Sequence, residues 1–504
     1  MSRLSGEEFL TSVAAVAAIA TLLLLAETSR RILKARSDLP RIIVHAGTGL
    51  LIAFSPLFFQ RAFPLILIGG VFVILNALAL GTDIPILGRH GCHPSFGTVF
   101  YPAAFLTLTA FLWHRSPPIV TSAMLVMAFG DMAAALIGGS RSHPRRYAIT
   151  SDGKSLEGSA AMFIASFSAL LGAAFLLPTA SRLDITGLET IPAIVLFFST
   201  ALYATVWEAA SSRGSDNLSI PLSTAFLLFL CLPDQRGVPS DRLAVATVLA
   251  ISAAFAAWAM RLLTVSGAVG AFLLAVLVFT AGGWSWAVPI LTFFILSSVV
   301  SRIGKERKNS LQTMTEKTST RDFWQVAANG GVAGCIVVLS VVIPDERWYF
   351  AYLGTLAAVA SDTFSTEIGV LSRGNPRHIL NFRPVPAGSS GGVSLTGVAG
   401  GIVGAALTAL SGALFDREHL FRPLPILGLM VVGFLSSLVD SLAGATLQAQ
   451  YRCEICGATT ERRSHCGFPS ALRSGRKSVT NDTVNVACAV SGAFLGWIIG
   501  CLPR

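Results

Sequence analysis

The chain has 504 residues, 53% of them hydrophobic and only 13% charged, with a mean hydropathy of +0.68. Soluble domains carry about 25% charged residues; a deficit spread over the whole length excludes a soluble body on one anchor and requires many membrane spans. The net charge of +10 does not point to nucleic acid, because the bases sit in short clusters between apolar runs, the arrangement that membrane topology imposes.

Apolar runs near the length a helix needs to cross hydrocarbon predict spans at 9–26, 41–58, 63–80, 97–113, 118–138, 156–177, 190–207 and 219–232. A second series follows at 243–263, 266–282, 285–301, 325–343, 347–361, 393–414, 424–446 and 484–501. The runs at 219–232 and 347–361 are short enough to be re-entrant. The first run is followed by Glu27 and Arg30 rather than a small-residue cleavage site, so it reads as a span and not as a signal peptide. The expected fold is all-α: a polytopic membrane protein of about 14–16 transmembrane helices in two bundles. The polar stretch Pro233–Asp241 divides it into domains at 1–235 and 236–504, and the sequence displays no convincing repeat between them.

With the N-terminus outside, the inward connections hold 26 of the 37 Lys and Arg residues, the bias expected of cytoplasmic loops. The same side receives the polar segments Arg30–Arg41, Gly139–Ser155, Arg302–Thr320, Ser372–Ser390 and Arg452–Thr480. The predicted location is a bacterial cytoplasmic membrane or an organelle equivalent, with the active sites on its cytoplasmic face.

In the first half, Asp131 lies inside the apolar run Met124–Ile137, where a carboxylate costs about 2.5–3.5 kcal/mol by insertion scales. Ala135 and Gly138, at i+4 and i+7, leave a small, open face for a polar ligand or ion; a base from another helix is the alternative partner. In Ser151–Ser159, SDGKSLEGS, Gly153 and Gly158 permit close backbone approach to a ligand around Ser155. Lys154 offers a point charge to phosphate, and Glu157 begins an apolar helix. The Walker A spacing is absent. Glu208, followed by Asp216 and Asn217, supplies the acids and amide that suit Mg²⁺ bound with nucleotide phosphates.

The strings Gly130-Asp131, GKSLEGS at 153–159 and the acid ahead of Asp216-Asn217 resemble the dolichol kinase and phytol kinase family. Arg41–Gly49 is similar to that family's basic-His-Gly segment, with the usual Arg-Lys pair reduced to Arg41. The resemblance covers about residues 25–232 and implies CTP-dependent phosphorylation of a long isoprenoid alcohol within the membrane. More distantly, the region is similar to phosphatidate cytidylyltransferases.

In the second half, Asp362 and Glu367 of SDTFSTEIG (361–369) are about 140° apart on a continuous helix. Either the helix breaks between them or only one meets an ion. The loop that follows contains Ser389, Ser390, Gly391 and Gly392, whose backbone N–H groups beside a helix start suit phosphate. Asp440 is a further intramembrane acid, flanked by Ser436, Ser437 and Gly444. Asn481 and Asn485 share a face one turn apart, with Asp482 beside them, and form a second carboxylate-and-amide set.

This half resembles the phytyl-phosphate kinase family over about residues 245–501, through Gly283-Trp284, the basic loop around Lys305, QVAANG at 325–330, SDTFSTEIG, SGGVSLTG at 390–397, DSLAGATLQ at 440–448 and NDTVN at 481–485. The resemblance implies conversion of an isoprenyl monophosphate to its diphosphate.

Cys453, Cys456, His465 and Cys466 form C-x₂-C-x₈-H-C in the last inward loop; all four are legal zinc ligands, and free thiols beside a surface histidine are the other reading. Together these features describe a fusion of two membrane kinases working on an isoprenoid alcohol and then its monophosphate, with Mg²⁺, a nucleoside triphosphate (CTP) and the bilayer as partners and no nucleic acid. Its catalytic groups would be Asp131, Lys154, Glu157, Asp362, Glu367 and Asp440. Cytidylyl transfer to a lipid phosphate and ion-coupled transport are the rival classes; against transport, the acids cluster at inward helix ends instead of crossing the midplane.

Overall fold

The computed structural model describes residues 6–32, 38–80, 95–140, 143–304, 320–415 and 423–502; Lys305 lies outside them. Among the described residues the chain forms fifteen α-helices, eleven of them long and apolar enough to cross a membrane. Large apolar side chains such as Leu176, Ile191, Phe255 and Leu424 stand exposed along them, as lipid-facing positions do. Helices suit this setting because each satisfies its backbone hydrogen bonds internally, with no water needed.

Two compact units divide the chain, Met1–Thr247 and Val248–Arg504. The first contains α1 (Gly6–Ile32), α2 (Asp38–Phe54), α3 (Ala62–Ala79), α4 (Gly97–Leu112) and α5 (Pro117–Ser140). An antiparallel hairpin, β1 (Arg146–Ala148) and β2 (Gly153–Ser155), leads into α6 (Leu156–Phe175), α7 (Thr190–Ala210) and α8 (Asp216–Cys231). Helix α9 (Ser240–Ala259) contains the dividing point.

The second unit continues with α10 (Val265–Arg302), α11 (Phe323–Val342) and α12 (Arg347–Gly369), then the hairpin β3 (Arg377–His378) and β4 (Gly392–Val393). It ends with α13 (Leu395–Ala413), α14 (Pro423–Thr446), a small β-rich segment and α15 (Asn481–Gly500). Helix α10 is two helices joined at Gly283, whose φ of 62° and ψ of −151° are open to glycine at little cost. Pro289 removes the N–H that would have paired with the Ser285 carbonyl. Tyr349 Oη of α12 donates to that carbonyl at 2.8 Å, and Tyr352 Oη to the Trp286 carbonyl at 2.6 Å. The run at 347–361, short in sequence, is part of one continuous helix, buried without interruption from Phe350 to Ser361.

The units share an architecture that the sequence does not announce. Helix α5 packs on α4, α6 and α8, and α7 on α6 and α8; likewise α12 packs on α11, α13 and α15, and α14 on α13 and α15. Both α5 and α12 are buried centres carrying the acid, Asp131 or Asp362, seven residues before a glycine. After each comes a hairpin whose second strand runs into an N-capping serine, the last residue of β2 and the residue directly after β4. Ser155 accepts from Gly158 N at 3.1 Å, and Ser394 accepts from Gly397 N at 3.1 Å; such caps are worth about 1 kcal/mol each.

The glycines sit at equivalent crossings. A Cβ on Gly138 would lie 2.8 Å from Ser155 Oγ and 3.5 Å from Gly158 Cα; one on Gly369 would lie 3.2 Å from Ser394 Oγ and 3.5 Å from Gly397 Cα. The shared string is short, G-x-S-L-x-G at 153–158 and 392–397.

Candidate functional site

In the first unit a cavity of about 1300 Å³ runs between α1–α5 and the β1–β2 hairpin. Much of its wall is apolar, with Leu22, Leu51, Phe54, Phe59, Leu65 and Phe105 among the lining side chains, while one end gathers Asp131, Lys154, Glu208, Asp216 and Asn217. These five come from α5, β2, α7 and α8. Asp131, Glu208, Asp216 and Asn217 are each less than a tenth exposed.

Lys154 Nζ lies 2.6 Å from Glu208 Oε1 and 3.4 Å from Asp216 Oδ2. Burial by itself lowers the pKa of this ammonium, but Asp216 and Glu208 outweigh it and hold the group above its usual range. The lysine expected to meet phosphate is thus tied, in this state, to the two acids. His45 Nδ1 of α2 stands 3.9 Å from Asp131 Oδ2, with its ring edge-on to Tyr101 at 5.4 Å. Asn217 Nδ2 reaches Asp216 Oδ1 at 3.1 Å, while its Oδ1 is buried with no hydrogen-bond partner. The small face beside Asp131 does line the cavity, through Ala135 and Gly138, and Gly138 also seats the start of α6.

Other predicted residues have local duties. Ser155 and Gly158 form the α6 cap while bordering the cavity, as does Gly153. Glu157 is not among the lining residues; its Oε2 accepts from Arg145 N at 3.1 Å and so closes the hairpin. Sequence reasoning missed His45 as a partner of Asp131, although its place in the basic-His-Gly segment was a signal. It also missed Asp152, whose Oδ2 accepts from Arg213 N at 2.7 Å and ties the hairpin to the turn before α8.

In the second unit the carboxyls of Asp362 on α12 and Asp440 on α14 interact directly, with Cys488 of α15 nearby. Asp440 Oδ1 is buried without a hydrogen-bond partner, as are the hydroxyls of Ser361 and Ser436. Because α12 is unbroken, Glu367 points elsewhere and accepts from Ser301 Oγ of α10 at 2.7 Å. Asp362 and Glu367 do not share a site. The Gly/Ser loop is largely engaged in its own turns: Ser389 N donates to Pro386 O at 3.1 Å and Gly392 N to Ser389 O at 3.0 Å. Ser390 Oγ donates to Gln448 Oε1 at 3.0 Å, and Gly391 lies against Ala445 of α14. Asn481 and Asp482 open α15, and Asn485 Nδ2 reaches Asn329 Oδ1 at 3.4 Å.

Between α14 and α15, strands β5 (Gln450–Arg452), β6 (Thr459–Thr460) and β9 (Ala471–Ser474) form a sheet in the order β6-β5-β9. Strands β7 (Ser464–His465) and β8 (Phe468–Pro469) form a hairpin. The ligating atoms of Cys453, Cys456, His465 and Cys466 come together there, all within 4.8 Å of one another. Hydrogen bonds from the Cys456 backbone, followed by the His465 side chain, pull the Cys453 thiol down to about 6. Elsewhere in the chain, Cys231 and Cys488 are buried, whereas Cys335 and Cys501 are exposed.

The family model described as "Integral membrane protein DUF92" matches residues 248–493. Protein PGR of Arabidopsis thaliana is 29% identical over 288 residues, covering 51% of this chain and 96% of that protein. The phytol kinase of Synechocystis is 31% identical over 214 residues, 42% of this chain and 86% of the relative. Protein VTE6, chloroplastic, of Arabidopsis thaliana is 23% identical over 220 residues, 42% of this chain and 65% of that protein. No solved structure matches. The match to most of a named phytol kinase, alongside the membrane-family match in the second unit, means that this chain belongs to the phytol kinase-related family of integral membrane proteins.

Proposed function

We propose that this chain is a bifunctional membrane kinase that phosphorylates an isoprenoid alcohol in its first unit and the resulting monophosphate in its second, with CTP as the phosphoryl donor. The observation that carries this reading is the constellation built twice: a buried central helix with an acid, a hairpin, and a serine-capped helix packed on the glycine seven residues beyond the acid. Two chemically similar steps on one lipid, alcohol to monophosphate and monophosphate to diphosphate, suit two versions of one site. The long apolar cavity ending in charged groups suits a substrate with an isoprenoid tail and a polar head. Phytol is the substrate in the name of the Synechocystis relative; the choice of CTP rests on the family resemblance.

The donor set of the first unit fits Mg²⁺. Glu208 and Asp216 are buried carboxylates paired with the Lys154 ammonium, and buried Asp131 acts on it electrostatically, an excess of negative charge that is costly in a low-dielectric setting. Asn217 Oδ1 is a hard oxygen without a partner. These four residues would hold the ion, which supplies charge neutralisation at the transferring phosphate. Lys154 then keeps the acids oriented and presents its positive charge at the same end of the cavity. Asp362 and Asp440 are the corresponding carboxylates of the second unit.

The test uses membranes carrying the full chain, labelled CTP and a panel of isoprenoid alcohols. Labelled lipid monophosphate and diphosphate with release of CDP are expected. Pyrophosphate with a CDP-lipid product would mean cytidylyl transfer, and ion flux without lipid product would mean transport.

The inward bias of Lys and Arg further supports a cytoplasmic position for both hairpins. Single cysteines introduced at Ser151 and Ser372 should then react with an impermeant thiol reagent from the same side. Reaction from opposite sides would overturn that orientation.

A further inference from the structure

The segment between α14 and α15 has a stability problem that its own side chains do not solve. Over residues 447–480 only Gln448, Ala449, Tyr451, Cys453 and Thr460 are buried, while Ile455, Phe468 and Leu472 stand exposed. Units below about 40 residues usually need a disulfide, a metal or a partner to hold a fold. The base of the segment is secured by backbone bonds, Arg476 N to Leu447 O at 3.0 Å and Ala449 N to Val479 O at 2.9 Å. Its tip has no comparable anchor in apolar packing.

Two tight turns meet at that tip. In the first, Cys453 N donates to Ala458 O and Gly457 N to Cys453 O, each at 2.9 Å, which folds Cys453 and Cys456 towards each other. In the second, Cys466 and Gly467, with φ of 52° and 80°, form the two-residue turn between β7 and β8; such hairpin turns need positive φ at both positions. Cysteine is strained in that conformation and adopts it only when its surroundings impose it. The turn aims Cys466 Sγ to 3.2 Å from His465 Nδ1, with Cys456 Sγ at 3.5 Å from the same nitrogen. Donors on one tetrahedral zinc ion are about 3.5 Å apart, given zinc bonds of about 2.3 Å to sulfur and 2.0 Å to nitrogen.

We propose that Cys453, Cys456, His465 and Cys466 bind one Zn²⁺ as a closed, structural centre that clamps the two turns and so orders the connection between α14 and α15. Four protein ligands fill a tetrahedral shell and leave no position for substrate. Three sulfurs and one imidazole in that arrangement favour zinc over the oxygen-seeking Mg²⁺.

The full chain, purified in detergent without a metal-affinity step from cells grown with ample zinc, should contain about one zinc per chain by mass spectrometry of the metals. Cys456→Ser and Cys466→Ser should each lose most of it, His465→Cys should retain it because a thiolate also ligates, and Cys335→Ser in α11 should match wild type. Chelation should increase tryptic cleavage at Arg462 and Arg463 severalfold. The wild-type metal content stands by itself should any variant fail to fold. Absence of zinc, iron in its place, or a Cys453–Cys456 disulfide in the purified chain would overturn the assignment.

Discussion

Asp131→Asn is expected to reduce phosphorylation of an isoprenoid alcohol by about 100-fold or more, the scale seen when a preorganised electrostatic group is removed from the reacting centre. Conversion of supplied monophosphate to diphosphate should persist. Asp362→Asn should do the reverse, so that monophosphate accumulates from alcohol. Both changes keep the shape of the side chain and remove its charge, and both residues lie on the buried central helix of their own unit. Each variant must also match wild type in thermal unfolding in detergent, so that lost chemistry is not confused with lost folding. Loss of both steps in a stable single variant would refute two independent sites.

Lys154→Met should have the largest effect on the stability of the first unit. The change leaves Glu208 and Asp216 buried without the ammonium that sits 2.6 and 3.4 Å from them. Removing one partner of a buried ion pair costs about 3–5 kcal/mol, whereas replacing the whole pair with apolar groups is often close to neutral. Adding Glu208→Leu to Lys154→Met should therefore recover much of the lost melting temperature without recovering activity. The sign of the pH dependence follows from the raised folded-state pKa of Lys154. Its stabilising contribution is fully present below the unfolded value of about 10.4 and declines only as pH rises through the folded one. The lysine's own titration therefore adds no pH dependence to the gap in melting temperature between wild type and Lys154→Met from about pH 6 to pH 9. No loss of melting temperature in the variant at about pH 9, where the acids are charged, would mean that the ammonium is not the group holding them.

Much of the outline was legible in the residues. The apolar runs predicted the helices closely, even the two spans meeting at Gly283-Trp284, because hydropathy and length are local properties. The five-residue spacing of Asp362 and Glu367 already separated them, and the unbroken α12 sends one towards Asp440 and the other to Ser301. The acids, the amide and the lysine of the first unit were also visible, though not their pairing. Lys154 meets Glu208 across 54 residues and Asp216 across 62, and no periodicity relates positions so far apart.

The repeat between the units was hidden for a related reason. Lipid-facing positions ask only for apolar bulk, so most of the sequence is free to diverge while helix adjacency is kept. Conformation restricts only a few places: a glycine where two helices cross, a serine that caps, an acid at the buried centre. Six residues of shared pattern in each half, G-x-S-L-x-G, are too few to be read as duplication without the packing around them.

By itself, then, the sequence determined that this is a helical membrane protein, where its spans run and which polar residues are too costly to be incidental. These follow from local transfer energies and from the need of each backbone group for a partner within its own segment. Only the tertiary structure decided which acids share a site, that Lys154 is bound to two of them, that Glu157 closes a hairpin outside the cavity, and that four zinc-type donors converge. Those outcomes depend on how helices and turns pack, and packing is set by the joint fit of side chains distant in sequence.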